Sequence, residues 1–141
     1  MILADSFPHL QSEGFTETSP ATSAYNCIAW AAGETDRWWW PDRFDVGYWP
    51  GSVPRTESLE AFFQVFESLG YTRCENGDLE TGYEKVALYV QDDKPTHAAR
   101  QLPDGRWTSK LGKEFDITHT LRGLEGPVYG RVAGFLKRPR P

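Results

Sequence analysis

The residues best suited to chemistry in this sequence are a cysteine and a histidine, Cys27 and His97. Cys27 follows Asn26, a residue type favoured at helix N-caps, and a helix is predicted from residue 23 to residue 32. A thiol in the first turn lies beside free N–H groups and the positive end of the helix dipole, which favour the thiolate. The pattern predicts Cys27 as a catalytic nucleophile; the alternative is a small buried side chain on an alanine-rich helix face.

His97 follows a proline-containing loop and opens a predicted strand over residues 96–102. The end of a strand is a rigid place from which an imidazole can reach a cleft. A cysteine paired with a histidine is a common nucleophile, because the imidazole removes the thiol proton and then protonates the leaving group. The sequence therefore predicts His97 as the base, with a hydrogen-bonded structural histidine as the alternative.

A third polar group is expected to hold the imidazole in one tautomer. Asp116 is the first candidate, because it lies about one hairpin beyond His97, although a helix cap is an equal interpretation of it. Ser109 and His119 are rivals. A predicted hairpin folding about residues 103–105 brings residues near Ser109 opposite His97, which favours Ser109 on geometry.

The aromatic residues form the second notable feature, with six Trp, six Tyr and eight Phe. The consecutive side chains Trp38, Trp39 and Trp40 cannot all face one core, so at least one is expected to be partly exposed. One interpretation is the wall of a substrate cleft near Cys27, and the other is a loop that covers the core with large rings. The candidate substrate contacts of this aromatic set are Trp38, Trp39, Trp49 and Trp107.

The elements that must position these residues predict an α+β fold. Residues 1–22 are polar and are expected to form an irregular lead-in. A second helix follows Thr56 as its N-cap, carries apolar residues at helical spacing and ends at Gly70. Strands are predicted over residues 71–74, 85–90, 96–102, 106–111 and 128–136, with a short helix within 116–123. The whole chain, 1–141, is expected to be one domain in which N-terminal helices pack on a C-terminal antiparallel sheet.

Several short blocks carry a family resemblance that spans residues 25–138: YNCIAWA, GYEKVALY, THAARQL, DGRWTSKLG, DITH and LEGPVYG. They resemble a small uncharacterised bacterial domain family. The order of a cysteine on a helix, a histidine on a strand and a later polar residue further resembles papain-like cysteine peptidases, and NlpC/P60-like branches in size. That resemblance implies a minimal papain-like fold with Cys27 as nucleophile, His97 as base and Asn26 near the oxyanion site. Papain-like proteases usually place a Gln several residues upstream for that task, so the Cys27 backbone N–H is the other expected donor.

The function expected from these features is hydrolysis or acyl transfer at an amide bond, in a peptide, a peptidoglycan stem or a glutamine side chain. The alternative is a non-catalytic module that binds a peptide or sugar through its Trp/Tyr-rich loop. Fifteen basic and twenty acidic residues give a net charge of −5, which disfavours nucleic acid as a partner.

Other classes are disfavoured by missing sequence signals. The Cys and His residues lack ligand-like spacing, and no phosphate-binding glycine motif is present, so we expect no metal and no cofactor. Without a signal peptide or a long apolar segment, we expect a cytoplasmic protein with no membrane partner. Two points stay open: whether Cys27 and Cys74 form a disulfide, and what the oligomeric state is.

Overall fold

The centre of the structure, a computed structural model that describes residues 3–141, is a seven-stranded antiparallel sheet in the order β1-β6-β5-β4-β3-β7-β2. The strands are β1 Phe15–Ser19, β2 Thr72–Cys74, β3 Tyr83–Gln91, β4 Lys94–Gln101, β5 Trp107–Lys110, β6 Asp116–His119 and β7 Arg131–Pro139. The helices are α1 Leu3–Ser6, α2 Leu10–Glu13, α3 Cys27–Ala32 and α4 Leu59–Glu67, with a 3-10 turn at Arg122–Leu124.

The helix α3 starts at Cys27 because Asn26 caps it. The Asn26 side-chain oxygen accepts the Ala29 N–H at 3.2 Å, and the backbone at Asn26 is extended. Gly33 ends the helix with φ 89°, a left-handed conformation that glycine adopts without a steric penalty. The cap and the end are those the sequence predicts, but the four residues from 23 to 26 lie outside the helix.

The helix α4 is capped by Ser58 rather than by Thr56, since the Ser58 hydroxyl accepts the Ala61 N–H at 3.1 Å. The helical spacing of its apolar residues predicts Phe63 on the buried face, but Val65 is fully buried while Phe63 is only partly so. Together with α3, this helix covers one face of the sheet. The core there includes Val86 and Leu88, whose alternate neighbours on β3 face the other side.

The opposite face of the sheet is covered by the N-terminal segment. Phe7 and Leu10 pack with Ala87 and Tyr89 in a second buried cluster, which also contains Trp107, Ile117 and Leu124. The central strand β3 is therefore buried on both faces, which explains its continuous apolar run. Three-layer packing of this kind holds the middle strands rigidly, and His97 lies on one of them, β4.

Two predicted elements are wrong. Residues 116–119 form strand β6 instead of a helix, and a 3-10 turn follows at Arg122–Leu124. Within residues 3–22 the predicted irregular lead-in is wrong, because β1 pairs with β6 at the edge of the sheet, with Phe15 opposite His119; residues 1 and 2 lie outside the described part. The β1 side chains are mostly exposed, so this strand lacks the apolar alternation from which an edge strand is usually recognised.

The fold is thus a mixed one in which the sheet dominates and the helices are few and short. The expectation of helices followed by an antiparallel sheet is met only loosely, since β1 precedes α3 and still joins the sheet. Within residues 3–141, no helix is both long and apolar enough to span a bilayer.

Candidate functional site

An open cavity of about 580 Å³ lies where α3 begins, beside Thr96 of β4 and Gly112 just after β5. Cys27 borders it at the first position of the helix. Its wall is largely apolar and aromatic, which is typical of ligand sites. The lining residues are Asn26, Cys27, Trp38, Trp40, Asp42, Val46, Gly47, Thr96, Gly112 and Tyr129.

The thiol of Cys27 is held in a dry position against β4. The residue is 7% exposed, and the backbone N–H groups of Ala98 and Ile28 are directed at its sulfur. Burial nevertheless raises the pKa of Cys27 to about 11, and neither these N–H groups nor the nearby Lys110 charge reverses that effect. The expected thiolate is therefore wrong for the resting protein, in which Cys27 is a neutral thiol.

Alkylation of Cys27 by iodoacetamide is expected to be slow at neutral pH and to accelerate about tenfold per pH unit up to about pH 10, because only the thiolate reacts. The rate is measured by mass spectrometry on a Cys74→Ala variant, with free cysteine as the reference thiol. A rate that levels off near neutral pH would contradict the raised pKa of Cys27.

The imidazole of His97 is fully buried and lies in a hydrogen-bonded chain of side chains. Its Nε2 is 2.8 Å from Ser109 Oγ, and the same Oγ is 2.7 Å from His119 Nε2. His119 Nδ1 in turn lies 2.7 Å from the Thr120 carbonyl oxygen. Among the described residues, His97 Nδ1 has no hydrogen-bond partner. The chain therefore engages one ring nitrogen of His97 and leaves the other without a partner.

Both histidines of this hydrogen-bonded network, His97 and His119, are neutral at physiological pH. Burial lowers the pKa of His119 to about 4, and burial is also the main cause that lowers the pKa of His97 well below its ordinary value. A neutral imidazole can accept a proton, so the state of His97 suits a base better than it suits an ion-pair partner.

Acid destabilisation is expected from these histidines. Because the pKa of His119 is about 4 in the folded chain and 6.5 in the unfolded chain, only the unfolded chain binds the proton between those values. The free energy of unfolding contributed by His119 is fully present above about pH 6.5 and is lost, by about 3 kcal/mol, as the pH falls to about 4. Urea unfolding across this range measures it. A His119→Gln variant is expected to lose less stability than the wild type on acidification, and equal losses would contradict the assignment.

The side chains of Cys27 and His97 lie on opposite faces of the sheet. Cys27 packs in the cluster that contains Ala98, whereas His97 lies opposite Tyr89 and contacts it on the other face. The Cys27 sulfur faces the N–H of Ala98, the residue that follows His97 on β4. Tyr129 joins the two surroundings, since it borders the cavity and stacks on the His97 ring with centroids 4.0 Å apart. His97 is therefore shielded from solvent but lies directly behind the wall on which Cys27 sits.

Of the three candidates for the third group, Ser109 contacts His97 directly and His119 contacts Ser109. Asp116 has another partner, because its Oδ2 accepts the Tyr25 hydroxyl at 2.8 Å. Asp116 thereby ties the segment before α3 to strand β6, and burial together with this bond raises the pKa of Tyr25 to about 12. The helix-cap interpretation of Asp116 is wrong as well, because the residue opens a strand.

The predicted substrate contacts separate into two groups. Asn26 and Trp38 border the cavity, although the Asn26 side chain is already bonded to the backbone of Trp39 and to the cap of α3. Trp39, Trp49 and Trp107 are buried core residues, which for Trp39 is what the alternative interpretation expects. Their rings contribute to stability rather than to the cavity wall.

Sequence reasoning missed the other wall residues as substrate contacts, among them Trp40, Val46 and Tyr129. Trp40 belongs to the run of three tryptophans, so the sequence could have indicated it as a wall residue. Tyr129 lies more than a hundred positions from Cys27 in the chain, and only the path of the segment before β7 brings it to the cavity.

The rim of the cavity is a loop that charged side chains hold in place. Asp42 accepts the N–H groups of Phe44, Val46 and Gly47, and Arg55 donates to both Asp42 and the Gly47 carbonyl. The Val46 and Gly47 N–H groups are the main reason that the pKa of Asp42 falls to about 2. The rim is therefore well defined, although Phe44 and Val46 are 75% and 86% exposed.

Comparison with known proteins identifies the family. A family model described as a domain of unknown function, DUF7689, matches residues 16–137, which is most of the chain. The chain belongs to the DUF7689 family. No curated protein and no solved structure gives a significant match to it. The resemblance to an uncharacterised domain family is thus confirmed for DUF7689, whereas no finding links this DUF7689 domain to papain-like or NlpC/P60-like peptidases.

Proposed function

We propose that this DUF7689 domain is a cysteine-dependent hydrolase or acyltransferase that acts on an amide bond, with Cys27 as nucleophile and His97 as base. The observation that carries the proposal is a cavity-lining thiol packed against β4, the strand that carries a neutral, buried imidazole on its other face. That imidazole has one nitrogen anchored by Ser109 and the other without a partner among the described residues. A base held at one nitrogen and available at the other is the arrangement that nucleophilic catalysis requires.

The proposed reaction starts from the neutral pair. It requires that substrate binding bring the Cys27 thiol and His97 Nδ1 together from the two faces of the sheet, since catalytic hydrogen bonds often form only when substrate binds. His97 takes the thiol proton as the sulfur attacks the carbonyl carbon, and the resulting imidazolium protonates the leaving amine when the C–N bond breaks. Water or an acceptor amine then attacks the thioester and gives its proton to His97, which returns that proton to the departing sulfur, so that Cys27 is released as a thiol.

The oxyanion formed in this reaction needs donors at the start of α3. The first N–H groups of a helix have no partner within the helix, and the Cys27 N–H is the first of them. The Ala98 N–H is a second donor once the sulfur has turned away from it. The Asn26 side chain is occupied by the cap and by Trp39, so its contribution is to hold the start of the helix in place.

The substrate proposed for this site is a peptide, a peptidoglycan stem or a glutamine side chain. The experiment is to incubate the wild type and a Cys27→Ala variant with peptides, peptidoglycan fragments and glutamine-containing proteins, and to detect new amines or ammonia. The proposal expects one class to be turned over at least about tenfold faster by the wild type. Identical rates for both proteins in all three classes would contradict it.

A second candidate function is binding without catalysis, favoured by the neutral state of the thiol and the aromatic wall of the cavity. In that case Trp38 and Trp40 stack on a peptide or a sugar, as aromatic side chains commonly do in binding sites. Tryptophan fluorescence titration separates the two candidates. A pure binding module gives the same affinity with Cys27 or with alanine and shows no turnover.

A further inference from the structure

The Thr120 carbonyl decides which atom donates and which accepts in each hydrogen bond of the network that ends at His97. A carbonyl oxygen only accepts hydrogen bonds, so His119 Nδ1, 2.7 Å away, must carry a proton. His119 is buried with its pKa lowered to about 4, so at neutral pH it holds one proton and no more. Its Nε2 therefore presents a lone pair towards Ser109.

The Ser109 hydroxyl has a single proton, so it can donate to only one of the two histidines. The hydroxyl donates to the lone pair of His119 Nε2 at 2.7 Å, which leaves only acceptor capacity towards His97. His97 Nε2, 2.8 Å away, then has to be the donor. The opposite direction would leave the bare His119 Nδ1 facing the Thr120 carbonyl, so that two acceptors would meet at 2.7 Å with no proton between them.

We propose that His119 and Ser109 are positioning residues that hold His97 in the tautomer protonated at Nε2, so that its lone pair lies on Nδ1. The catalytic meaning of this inference depends on the proposed function, since Nδ1 is the atom that has to take the thiol proton. The tautomer itself does not depend on it. Stacking on Tyr129, with an angle of 14° between the ring planes, helps to hold the His97 ring in the orientation in which Nε2 faces Ser109.

The hydrogen-bonded network differs from a Ser-His-Asp triad in the group at its far end. No carboxylate is bonded to His97 or His119 in the described part of the molecule, and the terminal acceptor is a backbone carbonyl. A neutral anchor does not stabilise an imidazolium as a carboxylate does. The network therefore favours a base that is uncharged at rest, which agrees with a Cys27 that rests as a thiol.

The test is the nitrogen-15 and carbon-13 NMR spectrum of the histidine-labelled protein at neutral pH, which distinguishes the two neutral tautomers. The chain has only three histidines, and a His9→Gln variant assigns the one outside the network. We expect His97 to be protonated at Nε2 and His119 at Nδ1. A wild-type spectrum with His97 protonated at Nδ1 would overturn the proposal, and this result does not require any variant to fold.

Variants of His119 give the second measurement. In His119→Phe the Ser109 proton loses its acceptor, so we expect the His97 tautomers to mix and kcat to fall at least about tenfold with KM unchanged. In His119→Gln the amide oxygen accepts the Ser109 proton, and both the tautomer and kcat are expected to recover. A tautomer that stays pure in His119→Phe would contradict the proposal. An assigned tautomer together with an unaltered rate in Cys27→Ala would instead contradict the proposed function alone.

Discussion

Replacing Cys27 with alanine is expected to abolish hydrolysis of a small activated ester such as p-nitrophenyl acetate, with a loss of at least about a thousandfold in rate. The reason is that the thiol forms the covalent intermediate, and Cys27 is the one cysteine among the described residues that line the cavity. Release of p-nitrophenol, followed by absorbance, measures the rate.

The matched control for that variant is Cys74→Ala. Cys74 lies on β2 at the far edge of the sheet, so its removal is expected to leave the rate unchanged. Cys27→Ala removes only a sulfur atom, and circular dichroism with a urea titration verifies that the variant folds. Equal rates for the wild type and Cys27→Ala would show that any ester hydrolysis comes from elsewhere on the surface.

Replacing His97 with glutamine is expected to lower the same rate by about a hundredfold to ten-thousandfold, the usual contribution of a general base. Glutamine can still donate an N–H to Ser109, so the network keeps its anchor, but the side chain has no lone pair that takes a proton at neutral pH. The loss is therefore assigned to the base rather than to a collapse of the surroundings.

A His9→Gln variant controls for the substitution itself, because His9 lies at the start of α2 and is not a member of the hydrogen-bonded network of His97, Ser109 and His119. His97→Ala is a poorer test, since it leaves a hole beside Tyr129 at a fully buried position. A His97→Gln protein that hydrolyses the ester at the wild-type rate would remove His97 from the reaction, whatever the role of Cys27.

The local part of the fold is what sequence reasoning predicts well. The start and end of α3 depend on an asparagine cap and a left-handed glycine, both of which act within a few residues. The hairpin of β4 and β5 follows from its turn residues in the same way. Strand β1 was missed because its side chains are polar and exposed, and because its pairing with β6 is made across about a hundred residues.

The third group of the site could not be decided from the sequence for a related reason. Which of Ser109 and Asp116 meets His97 depends on which face each side chain occupies, and a shift of one residue in a strand exchanges the faces. Asp116 is expected on a helix but lies on β6, where its side chain meets Tyr25. The hairpin argument, which favours Ser109, relies on the local pairing of β4 with β5, which a short turn fixes.

The charge state of Cys27 is the largest electrostatic difference between expectation and structure. The helix start and its N–H groups lower the pKa of a thiol, as the sequence suggests. Burial against β4 opposes them and is the larger effect. Because burial depends on how α3 packs on the sheet, it becomes visible only once the tertiary structure is known.

The most direct test of the central claim is to trap the acylated protein. The wild type is mixed with p-nitrophenyl acetate, quenched in acid within the first turnover, digested and mapped by mass spectrometry. We expect one acetyl group, on the peptide that contains Cys27, together with unmodified Cys74, and far less acetylation of Cys27 in His97→Gln. Acetyl groups spread over lysines with an unmodified Cys27, or equal labelling of Cys27 in His97→Gln, would contradict a Cys27 nucleophile activated by His97.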